Sequence, residues 1–208
     1  MSDEAAPVGR RLGVLVSGRG SNLQALIDAV ADGRLEAKIA VVLSNVVGAP
    51  ALARAATAGI DTVVVPHQGW PSREAYDERL VSELSARDVD VVCLAGFMRR
   101  LSGRFFECFP GPVLNVHPSL LPAFPGVNAP EQALAHGVKV AGCTVHLVTP
   151  ELDAGPIVRQ AAVTVQPGDS AESLAARILS EEHRLLPEAV ACVLRGGWRL
   201  EGRRFVAA

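Results

Sequence analysis

The sequence predicts a doubly wound α/β fold with a mostly parallel sheet, and three observations carry that reading. Short, predominantly apolar runs, such as LGVLVS at 12–17 and VLNV at 113–116, have the composition of strands buried on both faces. Helix-period segments alternate with them, and the first strand breaks into the glycine turn GRGSN before a helix. Parallel neighbours need such crossovers, because a tight hairpin joins only antiparallel strands.

The strand at 12–17 passes through GRGSN into the helical pattern LQALIDAVADG. Strand 39–43, helix 49–58, strand 62–65 and helix 72–87 repeat the unit. A strand at 89–94, the segment AGFMRRLS, a stretch at 104–109 and the strand at 113–116 follow. The next stretch, PSLLPAFPGVNAP, is an ordered loop or a string of turns, since prolines at that density interrupt helices and ladders alike. A short helix at 131–136 precedes two β-branched runs, 142–149 and 156–165, joined by PELDAG and expected as a strand pair. A long helix from 170 to 194 has Asp169 or Ser170 as its cap and Glu172 in its first turn, and WRLEGRRFV closes as a small hairpin. No repeat or linker divides the sequence, so 1–208 reads as a single domain with 1–10 as a flexible tail.

Composition removes several function classes. The 208 residues are 49% hydrophobic and 20% charged, with no apolar run near the roughly 18 needed to span a bilayer, so no membrane partner is expected. The start, MSDEAAPVGR, lacks a basic and apolar leader, which points to the cytoplasm. A net charge of −2 with both signs interspersed offers no broad basic face for nucleic acid. Cys93, Cys108, Cys143 and Cys192 form no C-x-x-C pair, and no His pair has metal-ligand spacing, so free thiols and no metal are expected. Monomer and homodimer both stay open.

Three clusters carry chemistry. Ser17 to Asn22, SGRGSN, sits between a strand and a helix, where unpaired amides and the helix dipole attract an anion. It is neither G-x-G-x-x-G nor a P-loop, so a single phosphate fits better than a dinucleotide or triphosphate. A plain turn capped by Ser21 or Asn22 is the competing reading; location at the carboxyl edge of the sheet favours the anion. In LNVHPSLLP, Asn115 and His117 stand two apart and share one face of a strand end. A neutral amide donor beside an imidazole suits an acyl-transfer site, where an oxygen becomes anionic. A lone strand-end His is by itself structural; the proline-fixed loop after it argues for a site. The third cluster, ELDAGP at 151–156, is ordinary turn chemistry, yet Asp153 could reach a neighbouring strand's His, favour its cationic form and fix its tautomer. No G-x-S-x-G nucleophile elbow is present, so direct transfer between two bound substrates is the economical mechanism.

Read together, SGRGSNLQALIDA, LAGFMRRLS, LNVHPSLLPAFPG, GCTVHLV, ELDAGPI and GDSAESLAARILSEEHRLLP resemble the glycinamide ribonucleotide formyltransferase family from about Leu12 to Leu200. The resemblance implies a formyltransferase-type, Rossmann-like fold and transfer of a formyl group from 10-formyltetrahydrofolate to 5′-phosphoribosylglycinamide in purine (IMP) biosynthesis. It implies Asn115, His117 and Asp153 as the catalytic set, without metal. Gly20, Ser21 and Asn22 match its phosphate loop and Glu182 a carboxylate near the glycinamide end; without the resemblance Glu182 reads as a solvated helix residue. Arg73, Met98, Arg99, Arg100 and Leu101 match folate-contacting positions, as does Asn115, and Thr149, Pro150, Glu151, Leu152 and Asp153 match the loop lining the pterin pocket. Asn128 departs from the pattern, standing where relatives commonly have His. Two relatives in chemistry, formyltetrahydrofolate deformylase and methionyl-tRNA formyltransferase, ordinarily add an N-terminal or a C-terminal domain that this sequence is not expected to hold. A non-catalytic nucleotide- or folate-binding module is the rival of a different class.

Overall fold

The first βα unit sets the pattern. In the computed structural model, which describes residues 10–207, β1 (Arg11–Val16) is buried from Leu12 onward and turns through Ser17–Gly20 into α1 (Ser21–Ala31). The tail expected over 1–10 lies, apart from Arg10, outside the described residues. The unit repeats as β2 (Lys38–Ser44), α2 (Pro50–Thr57), β3 (Thr62–Val64), α3 (Arg73–Ser85), β4 (Val91–Leu94), α4 (Gly103–Cys108) and β5 (Val113–His117). All five of these strands pair in parallel, in the order β3-β2-β1-β4-β5.

After α5 (Ala129–Ala135), β6 (Val140–Leu147) pairs antiparallel with β5, and β7 (Ile157–Thr164) antiparallel with β6. Beyond α6 (Ala171–Leu194), the hairpin β8 (Arg199–Glu201) and β9 (Arg204–Val206) joins β7 through β9, completing one nine-stranded sheet among the described residues. Helices cover both faces. Leu23, Leu26, Ala51, Leu186 and Val190 of α1, α2 and α6 pack on one, and Tyr76, Leu80, Leu84 and Phe105 of α3 and α4 on the other. Burial on both faces is why β1, β2 and β4 read as continuous apolar runs. Strand order reverses at β1, between β2 and β4, and a crevice opens at the carboxyl ends there.

Local signals explain the helix starts. The Ser72 hydroxyl accepts from the Ala75 N–H at the head of α3, and Ser170 and Ser173 cap α6 reciprocally. Asp169 instead pairs with Arg177 at 2.8 Å. Several boundaries differ from expectation, β6 running 140–147 rather than 142–149, and three differences have a local cause. Neither Ser21 nor Asn22 caps α1; Gly20 does, in the left-handed region at φ 74, where an added Cβ would sit 2.6 Å from that of Ala51. α5 starts two residues earlier than 131, led by Asn128 at φ 56, a conformation that Asn tolerates better than most residues. β4 begins at Val91 rather than 89, because Asp90 turns its carboxylate onto the Arg11 N–H. Among the described residues no helix is long and apolar enough to cross a membrane.

Candidate active site

Antiparallel pairing of β5 with β6 decides what surrounds the two polar side chains of β5. Its register sets Asn115 opposite His146 and His117 opposite Thr144. Leu114 and Val116 point into the core under α1 and α6, leaving the polar pair on the other face. His146 Nδ1 lies 2.9 Å from the Leu147 carbonyl oxygen and therefore donates to it. Its Nε2 is left as an acceptor, 3.3 Å from Asn115 Nδ2. Burial holds the His146 imidazole below its usual pKa, opposed by the Leu147 carbonyl and the charge of Asp153, so the ring is neutral in this role. A neutral acceptor fixes which end of the Asn115 amide faces it, and the second N–H of that amide stays available to a ligand oxygen.

The proline-rich loop closes over His117. Its Nε2 donates to the Phe124 carbonyl at 2.9 Å, and its Nδ1 stands 3.5 Å from Asp153 Oδ2. Asp153 also accepts from the Gly126 N–H at 2.8 Å and turns Oδ1 to 3.8 Å from His146 Nε2. The carboxylate thus sits between two imidazoles, nearly buried, on a residue at φ 49. Thr144 pins the loop from below: its hydroxyl donates to Ser119 O and accepts from the Leu121 N–H. The turn carrying Asp153 is itself held by donors from elsewhere, Arg100 to Pro150 O at 3.3 Å and Arg203 to Ala154 O at 2.6 Å. Gly155, which reads from sequence as a point of freedom, is instead a point of contact. A Cβ there would lie 1.7 Å from Leu147 O.

Two hollows flank this group; His117 itself lines neither, but its neighbours Val116 and Pro118 line the larger. A cleft of about 610 Å³ is lined by Ser17 to Asn22, Gly96, Met98, Val116, Pro118 and Glu182. The Asn22 amide donates to Glu182 at 2.7 Å inside it, while Asn22 Oδ1 has no partner among the described residues. Glu182 is buried, which corrects the reading of a solvated helix residue. Burial raises its carboxyl above the usual range, opposed by the Asn22 hydrogen bond and then by the charge of His117. The second hollow, about 100 Å³, is lined by Arg99, Arg100, Leu101, Asn115, His146 and Thr149 through Asp153. Of the residues expected there, Met98 is exposed and lines the first cleft, and Arg73 lines neither, standing at the head of α3 beside Glu74. Consecutive residues divide the two hollows, Met98 from Arg99 in the loop after β4 and Asn115 from Val116 in β5.

His146 is the functional candidate that sequence reasoning passed over. Its signal was a polar ring in the otherwise apolar GCTVHLV, on a strand whose partner carries Asn115. Among the described residues no three His, Cys, Asp or Glu side chains are grouped to hold a metal ion.

A doubly wound sheet with an amide, an imidazole and a carboxylate converging between two hollows defines a group-transfer class of α/β protein. The chain belongs to the formyl transferase family, whose profile matches residues 10–190. It is 44% identical to the phosphoribosylglycinamide formyltransferase of Escherichia coli K12, over 91% of this chain and 87% of that one. It is 48% identical to part of the trifunctional purine biosynthetic protein adenosine-3 of Drosophila pseudoobscura pseudoobscura, across 91% of this chain. The chain spans only 14% of that relative's length. Among solved structures, glycinamide ribonucleotide transformylase 1 from Symbiobacterium toebii superposes with a TM-score of 0.93 at 51% identity, covering 96% of this chain and 94% of that one.

Proposed function

We propose that this protein transfers the formyl group of 10-formyltetrahydrofolate to the amine of 5′-phosphoribosylglycinamide, a step of purine biosynthesis. The observation that carries the reading is that two unlike hollows flank one set of polar groups: Asn115 and Asp153 line one, and Val116 and Pro118, on either side of the His117 that pairs with Asp153, line the other. The cleft floored by Gly20, Ser21 and Asn22 at the head of α1 suits a phosphate, with Glu182 toward the glycinamide end. The hollow under Thr149, Pro150, Glu151 and Leu152 suits a flat pterin, and Arg99 and Arg100, with Arg73 nearby, suit its carboxylate tail.

In the reaction the substrate amine forms a bond to the formyl carbon, and the carbonyl oxygen becomes anionic. Asn115 and His117 supply donors to that oxygen. Asp153, 3.5 Å from His117 Nδ1, orients that ring and relays the amine proton, which ends on N10 of the folate as the old C–N bond breaks. Donors fixed before reaction need no rearrangement at the moment charge appears, and the His146 and Phe124 contacts hold Asn115 and His117 in this way.

The same reading has a single domain working in the cytoplasm on small molecules, without nucleic acid, as a monomer or homodimer. Its test is a turnover assay with 10-formyltetrahydrofolate and phosphoribosylglycinamide, following the formyl carrier spectroscopically. Amine-dependent loss of the carrier is expected. Loss with water alone would indicate a deformylase, and binding without turnover a non-catalytic module.

A further inference from the structure

One buried carboxylate has no part in the chemistry above. Asp77 lies on the inner side of α3, one turn after Arg73, and its Oδ2 accepts a hydrogen bond of 2.6 Å from the Ser102 N–H, with both residues buried. Ser102 ends the segment 98–101, part of which walls the folate-side hollow. The other end of that segment is held by the Ser17 hydroxyl, which accepts from the Met98 N–H at 2.8 Å. Between the two anchors the Arg99 guanidinium lies over the ring of Tyr76, 5.0 Å from its centre, and Tyr76 is the residue beside Asp77.

A carboxylate is a costly choice at such a position. A buried ion contributes little to stability compared with an apolar side chain of similar size. Burial accordingly pushes the Asp77 carboxyl above its usual range, opposed first by hydrogen bonding from Ser102 and then by the charges of Arg73 and Arg99. Packing against Leu80 and Phe105 on this face gives no reason for a negative charge. Two cations do, Arg73 one turn earlier on the same helix and Arg99 over the ring of the adjacent Tyr76.

We propose that Asp77 is a positioning residue for the co-substrate's anionic tail: it anchors the end of the 98–101 segment and supplies the shared counter-charge that holds Arg99, with Arg73 behind it, ready for carboxylates. This inference rests on the reading that the hollow takes a folate. Asp77 touches no substrate itself; it acts through the arginines and through the Ser102 backbone.

Asp77→Asn separates the roles, because Asn keeps an acceptor for Ser102 and loses only the charge. Its melting temperature is expected to equal or exceed that of the wild type, with kcat within about twofold and the KM for 10-formyltetrahydrofolate raised about tenfold. The KM for phosphoribosylglycinamide stays unchanged. With 10-formyltetrahydropteroate, which lacks the glutamate carboxylates, variant and wild type should share one KM. An unchanged folate KM, an equal rise for both substrates, or a loss that persists with the pteroate would overturn the proposal. Failure of the wild type to consume 10-formyltetrahydrofolate would instead sink the folate reading. The anchor is then read separately by hydrogen exchange over 98–102, which should quicken in Asp77→Ala but not in Asp77→Asn; equal exchange in all three proteins overturns it.

Discussion

The cleft beside α1 and the hollow beneath the Asp153 turn share one sheet edge and are built by opposite means. Most of the cleft's polar floor is one contiguous segment, Ser17 to Asn22, shaped by a single left-handed glycine and completed from a distance by Glu182. The hollow has no such core. It gathers the end of β5, a ring from β6, the turn at 149–153 and the arginines after β4, and register brings them together. A floor made of backbone amides is suited to holding an anion, whereas converging side chains are suited to following a charge that appears and moves. Substitutions in the cleft should therefore act mainly on affinity, and those at the hollow's Asn115 and Asp153 mainly on rate.

The largest effect belongs to the hollow. Asp153→Asn is expected to leave the fold intact, since Asn accepts φ 49 and can still receive the Gly126 N–H. It removes the charge beside His117, and kcat should fall about 10²- to 10⁴-fold, the range general acid–base groups supply. Steady-state kinetics with near-ultraviolet circular dichroism checks both halves. Unaltered kcat across neutral pH would take Asp153 out of the chemistry.

In the cleft, Asn22→Asp faces Glu182 with a second carboxylate where the amide now donates at 2.7 Å. Ribonucleotide binding should weaken about tenfold or more while folate binding stays within about twofold, and stability should drop by about 1–3 kcal/mol for the lost buried hydrogen bond. Calorimetric titration of each substrate decides it. Equal loss of both would erase the division between the two hollows.

The same contrast explains what could be read in advance. The parallel half of the sheet, the long helix and the anion loop follow from local signals: buried apolar runs, the Ser170 cap and the glycine turn. Asn115 and His117 share a face by strand period alone. His146 needed the β5–β6 register, which no run of residues states. Burial of Glu182 needed the packing of α6 against α1, and Gly155 reads as freedom until β6 is seen against it. That Gly20 caps α1 was not legible, because a left-handed cap is not visible in a string that also offers Ser and Asn.

Opposite pH signatures sharpen the comparison further. The Glu182 carboxyl of the cleft is raised by burial from 4.5, so the stability it contributes is present below that value and is lost as pH rises through its folded pKa. The His146 imidazole of the hollow is lowered by burial from 6.5, so its contribution is present above that value and is lost as pH falls through its folded pKa. Relative to wild type, Glu182→Gln should gain stability as pH rises from 4.5, and His146→Gln as it falls below 6.5. Each difference has a limiting slope of about 1.4 kcal/mol per pH unit. Urea midpoints between pH 4 and 8 measure both, and parallel curves for either variant would remove that group from the account.

The smallest effect tests whether the Asp153 turn depends on the end of the chain. Arg203, in the turn between β8 and β9, donates to the Ala154 carbonyl, one residue past the carboxylate. The arginine is exposed, so the bond competes with water and is worth about 0.5–1.5 kcal/mol at most. The Gly126 N–H and the close seating of Gly155 against β6 hold the turn independently. Arg203→Ala should therefore lower kcat by no more than about threefold, about 0.6 kcal/mol, with both KM values unchanged. A fall comparable to that of Asp153→Asn would mean that the hollow is assembled from the terminal hairpin inward, and that the register of β5 with β6 does not suffice to place the carboxylate.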